Sequence, residues 1–129
     1  MIEFASRLEN ITLVDEFILG LKKEHCIPDK LYYDALHAVN EAVTNAIKHG
    51  NGNDPSKNVV VQFKSCPPDR FVFTVSDEGP GFNLHTVPDP FRPGGIGRTG
   101  GRGILIMKRL ADRLLFNEKG NRVELHFIK

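Results

Sequence analysis

The stretch LHAVNEAVTNAIKHG, residues 36–50, is the most informative part of this 129-residue chain. On an α-helix, which advances about 100° per residue, its apolar and polar side chains separate onto opposite faces. Glu41 and Asn45 lie four residues apart, so they are neighbours on the polar face. A carboxylate and an amide oxygen in this arrangement can bind a hydrated cation and accept a proton. An ordinary solvated helix face shows the same pattern. The remaining polar side chains on that face are His37, Thr44 and Lys48.

Bulk composition predicts a single soluble domain spanning residues 1–129, with no linker or internal repeat. Hydrophobic residues make up 40% of the chain and charged residues 26%, as in ordinary globular proteins. A net charge of +1 argues against a general nucleic-acid or membrane-surface role, since both usually need a basic excess. No apolar run approaches the roughly 20 residues that cross a bilayer, and MIEFASRLEN lacks a signal-peptide profile. We expect a cytoplasmic protein with Cys26 and Cys66 reduced.

Hydrophobic periodicity predicts the element order β-α-α-β-β-loop-α-β-β. The expected elements are a strand near Ile2 and Phe4, helices over 10–23 and 28–49, a hairpin around 59–63 and 71–75, a helix from Ile104, and strands over 114–118 and 122–128. Residues 78–103 lack periodicity and hold most of the chain's 12 glycines, which indicates a functional or mobile loop. Because the strands come in consecutive pairs, we predict an α+β two-layer sandwich, in which a mixed, largely antiparallel sheet carries its helices on one face.

Two further motifs carry candidate chemistry. Asp77-Glu78-Gly79-Pro80-Gly81 follows the hairpin. Its aspartate either caps a turn or accepts a hydrogen bond from an exocyclic amine such as that of adenine, with glycines that let the backbone approach a flat base. Thr99-Gly100-Gly101-Arg102-Gly103 runs into the third helix. The unpaired N–H groups of a helix N-terminus, with Arg98 and Arg102 nearby, suit phosphate, but a flexible connector has the same composition.

The three motifs together resemble the GHKL ATPase superfamily, whose members share the Bergerat ATP-binding fold. They are an E-x-x-x-N helix, a D-x-G-x-G after a strand and a G-x-G that opens a helix, in this order. The segments EAVTNAIKHG, SDEGPGF and GGRGILIMKRLAD are more closely similar to the stand-alone RsbW/SpoIIAB-like branch of anti-sigma factor serine/threonine kinases. The resemblance covers nearly the whole chain and implies ATP and Mg²⁺ as cofactors.

The resemblance also assigns roles to individual residues. Glu41 matches the general base, and Asn45 matches the magnesium ligand. Asp77 matches the carboxylate that reads adenine, while Gly79 and Gly81 shape the base pocket. The residues with an implied part in phosphate binding are Lys48, Arg98, Gly101, Arg102 and Gly103. Residues 83–100 correspond to the ATP lid.

One position departs from the family pattern. Family members often carry a Gly-Thr pair before the last strand, with the threonine directed toward the adenine site. Here Gly120 is followed by Asn121 and Arg122, so Asn121 is the residue that stands in the place of that threonine.

The resemblance implies a protein serine/threonine kinase that acts as an anti-sigma factor and phosphorylates a STAS-type anti-anti-sigma protein. A sigma factor is a second implied partner, and members of this branch are often homodimers. Direct nucleic-acid and membrane partners are not implied. Two alternatives stay open: a non-catalytic regulatory module that responds to ATP or ADP, which the presence of Glu41 disfavours, and a histidine-kinase-like catalytic domain, which lacks room here for dimerisation helices.

Overall fold

The computed structural model describes residues 1–80 and 101–129, with side chains given from Gly103 onward in the second range. The expected ATP lid, residues 83–100, lies outside the described residues. The described elements are β1 (Ile2–Ala5), α1 (Ile11–His25), α2 (Asp29–Asn45), β2 (Asn58–Cys66), β3 (Arg70–Ser76), α3 (Gly101–Leu110), β4 (Arg113–Phe116) and β5 (Arg122–Ile128). A 3₁₀ turn, Leu8–Asn10, precedes α1, and a π-helical turn, Ala46–Gly50, follows α2.

The five described strands form one sheet in the order β1-β2-β3-β5-β4. All four strand pairings among them are antiparallel, and the predicted hairpin is present with Phe63 opposite Phe73. Alternation places the hairpin phenylalanines on the face toward the helices, because successive strand residues point to opposite faces. Together with the one-sided helix layer, this confirms the α+β two-layer fold.

The helices cover one face of the sheet, with α2 in the middle of the helical layer. This helix packs against α1 and α3 and against strands β3 and β5. The apolar stripe of α2, continued by the π-helical turn, supplies the core, since Val39, Val43 and Ile47 are fully buried. On the opposite layer Phe73 is also fully buried, and its ring meets Phe127 edge-on with the centroids 6.1 Å apart. The apolar stripe read from the sequence is therefore the inner face of α2.

The ends of several elements differ from the sequence prediction. The first helix runs two residues beyond position 23 and ends at His25, and the next residue, Cys26, takes a left-handed conformation with φ of 53°. Glycine or asparagine usually marks such an end, so the sequence gives little signal there. The third helix begins at Gly101 rather than Ile104, which places Gly103 in its first turn. It ends at Leu110, and Leu114 belongs to β4.

The helix predicted to reach His49 is α-helical only as far as Asn45. It continues as the π-helical turn Ala46–Gly50, closed by a hydrogen bond from the Asn51 N–H to the Ala46 carbonyl at 2.8 Å. Single π-helical turns frequently occur at functional sites. Here the wider turn carries Asn51 into the interior while Ala46 and Ile47 stay in the core. No helix among residues 1–80 and 101–129 is long and apolar enough to cross a membrane.

Candidate functional site

The polar stripe of α2 lies at the end of the helix that faces the N-terminus of α3. Glu41 and Asn45, one turn apart, are both partly buried. His37 and Lys48 are exposed. Lys48 lies in the π-helical turn, so the α-helical spacing that placed it directly above Asn45 does not hold there. Glu41 and Asn45 therefore lie on one face of α2 as predicted, whereas Lys48 does not continue that face at α-helical spacing.

The side chain of Asn45 lies against the first turn of α3. A β-carbon placed on Gly103 would lie 2.7 Å from Asn45 Nδ2 and 3.2 Å from Oδ1, closer than ordinary contact. Only glycine lets α3 approach the amide this closely. The first four N–H groups of an α-helix have no partner within the helix, and Gly103 is the third residue of α3. The structure thus brings a side-chain amide oxygen and a set of free N–H donors to one place.

Asp77 and Gly79 form the second part of the site, directly after β3. The Gly79 N–H donates to Asp77 Oδ1 at 2.8 Å, which fixes the carboxylate in a tight turn. Gly50, at the end of the π-helical turn, lies beside the same carboxylate, because a β-carbon on Gly50 would lie 2.7 Å from Asp77 Oδ1. A β-carbon on Gly79 would overlap the Gly50 carbonyl. The end of α2 and the Asp77 turn are therefore in direct contact through two glycines.

The Asp77 carboxyl carries an electrostatic signature typical of a binding group. Burial raises its pKa above the ordinary value, while the Gly79 N–H and the ammonium groups of Lys119 and Lys57 act in the opposite direction. A half-buried carboxylate with a raised pKa gains by accepting a further hydrogen bond from a ligand donor. Among the described residues, the hydrogen bond from the Gly79 N–H uses Oδ1.

Asn121 lies at the same turn, next to the place where the family pattern has threonine. Its Nδ2 donates to the Gly79 carbonyl at 3.3 Å, and its Oδ1 accepts from Asn117 Nδ2 at 2.8 Å. Its backbone carbonyl accepts from the Asp77 N–H at 3.0 Å. Asn117 Oδ1 in turn accepts from three backbone N–H groups of the β4–β5 turn. Both ends of the Asn121 amide are occupied by protein groups, so Asn121 supports Gly79 and Asp77.

Several predicted site residues fall outside the part of the chain that the structure describes. Gly81 and Arg98 lie outside the described residues, as does the side chain of Arg102. Gly101 is the first residue of α3, and Gly103 follows within the same turn. The predicted residues that the structure places in contact at the site are Asn45, Asp77, Gly79 and Gly103.

Two residues at the site were missed by the sequence reasoning. Gly50 follows the predicted end of the second helix at position 49, and it is the residue that lets the π-helical turn touch Asp77. Asn51 falls between the predicted elements, yet it is 3% exposed and hydrogen-bonded to the peptide after Asp77. The signal in the sequence was the polar run GNGND, which does not distinguish a buried asparagine from a solvated one.

The residues at the site fit a magnesium ion bound together with phosphates. Among the described residues no three His, Cys, Asp or Glu side chains are grouped so as to hold a metal. Mg²⁺ commonly takes one or two protein oxygens and completes its shell with phosphate oxygens and water. The amide of Asn45 offers one such oxygen, and it lies against Gly103 in the first turn of α3.

Comparison with known proteins identifies the family of this chain. Residues 4–127 match the family described as histidine kinase-like ATPase domain. The anti-sigma F factor of Clostridium perfringens is 38% identical over 91 residues, which are 67% of this chain and 63% of that protein. The serine-protein kinase RsbW of Staphylococcus aureus is 29% identical over 94 residues, 67% of this chain and 59% of that protein. The chain therefore spans less than two thirds of these curated relatives.

Solved structures show the same fold. The histidine kinase domain of the Erythrobacter litoralis EL346 blue-light activated histidine kinase superposes with a TM-score of 0.58 at 21% identity, covering 79% of this chain and 46% of that one. The mycobacterial sensor histidine kinase MprB gives a TM-score of 0.54 at 21% identity, with 75% and 71% covered. At this identity the likeness concerns architecture alone. With the family match extending over residues 4–127, this chain belongs to the histidine kinase-like ATPase domain family of the GHKL type.

Proposed function

We propose that this chain is an ATP-dependent serine/threonine protein kinase that acts as an anti-sigma factor and phosphorylates a STAS-type anti-anti-sigma protein. The observation that carries the proposal is the contact between Asn45 and Gly103, which joins the polar stripe of α2 to the N-terminus of α3. The names of the relatives, anti-sigma F factor and serine-protein kinase, support the same class. A sigma factor as second partner, a homodimer and a cytoplasmic location belong to this proposal.

The proposed nucleotide site has an adenine end and a phosphate end. At the adenine end, the Asp77 carboxylate accepts a hydrogen bond from the exocyclic amine, and Gly79 and Gly81 leave room for the base. At the phosphate end, the free N–H groups of the first turn of α3 bind phosphate oxygens, because a helix N-terminus carries a partial positive charge. The basic and glycine residues assigned to the same phosphates are Lys48, Arg98, Gly101, Arg102 and Gly103.

In the proposed reaction Glu41 is the general base and Asn45 the magnesium ligand. Mg²⁺, when bound, neutralises charge on the phosphate oxygens. The Glu41 carboxylate accepts the proton of the acceptor hydroxyl, whose oxygen forms a bond to the γ-phosphorus. The bond between that phosphorus and the bridging oxygen breaks, and ADP leaves with the electron pair. The half-buried position of Glu41, one turn from Asn45, supports this role.

The test is transfer of label from γ-labelled ATP, with Mg²⁺, to a STAS protein encoded beside this gene. We expect acid-stable label on serine or threonine of that partner. Glu41→Gln is expected to slow transfer by about 10²- to 10⁴-fold, the usual contribution of a general base, with little change in ATP affinity. Glu16→Gln is the matched control, because Glu16 is an exposed glutamate on α1.

Other results would contradict specific parts of the proposal. Wild-type transfer by Glu41→Gln would remove the base assignment. ATP binding without any label on the partner would favour the non-catalytic regulatory module instead. Acid-labile label, which is the behaviour of phosphohistidine, would favour the histidine-kinase alternative.

A further inference from the structure

Asn51 is a buried asparagine that joins four separate segments of the chain at the edge of the nucleotide site. Its side-chain oxygen accepts from the Glu78 N–H at 2.9 Å. Its Nδ2 donates to Ser6 Oγ at 2.7 Å and to the Asn58 carbonyl at 3.0 Å. Its backbone N–H closes the π-helical turn. All the donors and acceptors that the side chain commonly uses are therefore satisfied inside the protein.

We propose that Asn51 is a positioning residue. It holds the Asp77 carboxylate where it can accept a hydrogen bond from the exocyclic amine of adenine, and so sets the selectivity of the site for adenine. The inference rests on the proposed role of Asp77. Asn51 touches neither the base nor the phosphates in this scheme. It acts through the Asp77–Glu78 peptide, whose N–H it binds.

Asp77 is held through the two peptides that flank it. On one side the Asp77 N–H donates to the Asn121 carbonyl of the β4–β5 turn at 3.0 Å. On the other side the Glu78 N–H donates to Asn51. The Glu78 side chain adds to the second side, since its carboxylate accepts from the Asn58 N–H. Removing the Asn51 amide leaves the Glu78 N–H without its acceptor, so the peptide after Asp77 loses its direct anchor while the bonds to Asn121 and to the Asn58 N–H remain.

Asparagine is suited to this position by its chemistry. A primary amide offers one oxygen acceptor and two N–H donors on a short side chain, and Asn51 uses all three. Serine supplies a single donor, and alanine supplies nothing. A buried peptide N–H that loses its partner moves toward another acceptor or water, because leaving it unpaired is unfavourable. A change at Asn51 is therefore expected to shift the carboxylate of Asp77.

The readout is discrimination between ATP and ITP, whose base carries an oxygen in place of the exocyclic amine. A charged acceptor that binds an amine is expected to favour ATP by about 10- to 100-fold. A purely structural defect lowers the affinity for both nucleotides equally and leaves the ratio of the two dissociation constants unchanged. A displaced Asp77 lowers that ratio, because the amine contact is made only by ATP.

The experiment measures both dissociation constants by titration calorimetry, at a temperature where thermal denaturation shows every variant folded. Asn51→Ala is expected to reduce the ITP/ATP ratio by at least about fivefold. Asn51→Ser is a second, milder variant with the same expectation, and it carries the test if the alanine variant does not fold. Ser6→Ala is the matched control, because it removes one partner of Asn51 but leaves the bond to Glu78 intact. It is expected to lower stability and keep the ratio.

Asp77→Asn separates this inference from the proposed function. If Asp77→Asn abolishes the preference for ATP while both Asn51 variants retain it, Asn51 has no positioning role and the inference is wrong. If Asp77→Asn itself leaves the preference unchanged, the adenine assignment of Asp77 fails. A fall in the ratio for Ser6→Ala as large as that for Asn51→Ala would also overturn the inference, because general loosening would then explain both.

Discussion

Replacing Gly103 with alanine is expected to remove magnesium-dependent function while leaving the fold intact. The added β-carbon would lie 2.7 Å from Asn45 Nδ2, whereas ordinary contact begins near 3.4 Å, so the amide must withdraw by about 0.7 Å. A rotation of this kind costs about 0.5–1.5 kcal/mol. Alanine offsets much of it, because it is better than glycine in a helix by about 1 kcal/mol. We therefore expect the free energy of unfolding to change by no more than about 1 kcal/mol.

The functional effect is larger because Asn45 is the proposed magnesium ligand. A misplacement near 1 Å at a reacting site can cost about 100-fold in rate, so we expect phosphoryl transfer to fall on the order of 10- to 100-fold. The diagnostic quantity is the ratio of ATP dissociation constants measured with EDTA and with Mg²⁺. This ratio should fall in Gly103→Ala nearly as far as in Asn45→Ala, and the double variant should show no further loss.

The matched control is Gly20→Ala on α1, where an added β-carbon meets no atom within 4 Å. It is expected to raise stability by about 0.5–1 kcal/mol and to leave the magnesium effect unchanged. A Gly103→Ala protein with the wild-type magnesium effect would refute the reasoning, since the ligand would then not be the side chain that the new methyl group displaces.

Three further predictions concern stability. Burial raises the pKa of Asp77, so the charged carboxylate is less favourable in the folded state than in the unfolded state. The free energy of unfolding of the wild type, minus that of Asp77→Asn, should therefore fall as pH rises from about 3.9 through the folded-state pKa. Urea titrations at several pH values measure this difference, and a difference that does not change with pH would contradict the prediction. Phe73→Ala should lower the free energy of unfolding by about 3–5 kcal/mol in urea, and a loss under 1 kcal/mol would mean that the ring is not in the core. Asn117→Ala should cost about 1–3 kcal/mol, since three N–H groups of the β4–β5 turn lose an acceptor; an unchanged melting temperature would argue against that network.

Much of the fold follows from local sequence patterns. The alternation around Phe63 and Phe73 was enough to predict the hairpin, because a strand shows its period over a few residues. The placement of Glu41 and Asn45 on the same face of α2 likewise follows from helical spacing alone. These predictions held because the information lies within one element and the buried face is clearly apolar.

The features that the sequence did not reveal depend on contacts between distant residues. Asn51 is buried because Ser6, 45 residues earlier, and Glu78, 27 residues later, supply its partners. The backbone N–H of the same residue closes the π-helical turn, whose local sequence is typical of an ordinary helix end. The left-handed Cys26 was equally hidden, since no glycine marks it. Polar networks between segments are therefore the part of the site for which periodicity carries no signal.

The position of β5 has a consequence for synthesis of the protein. It is the last described strand in chain order, yet it pairs with β3 on one side and β4 on the other. A ribosome that has released residues up to 110 has exposed β3 with one edge unpaired and Asp77 without the Asn121 carbonyl to which its N–H donates. Exposed strand edges of this kind are prone to aberrant pairing. Nucleotide binding is therefore expected only after the chain through Ile128 has emerged, so a nascent chain stays inactive until its sheet can close.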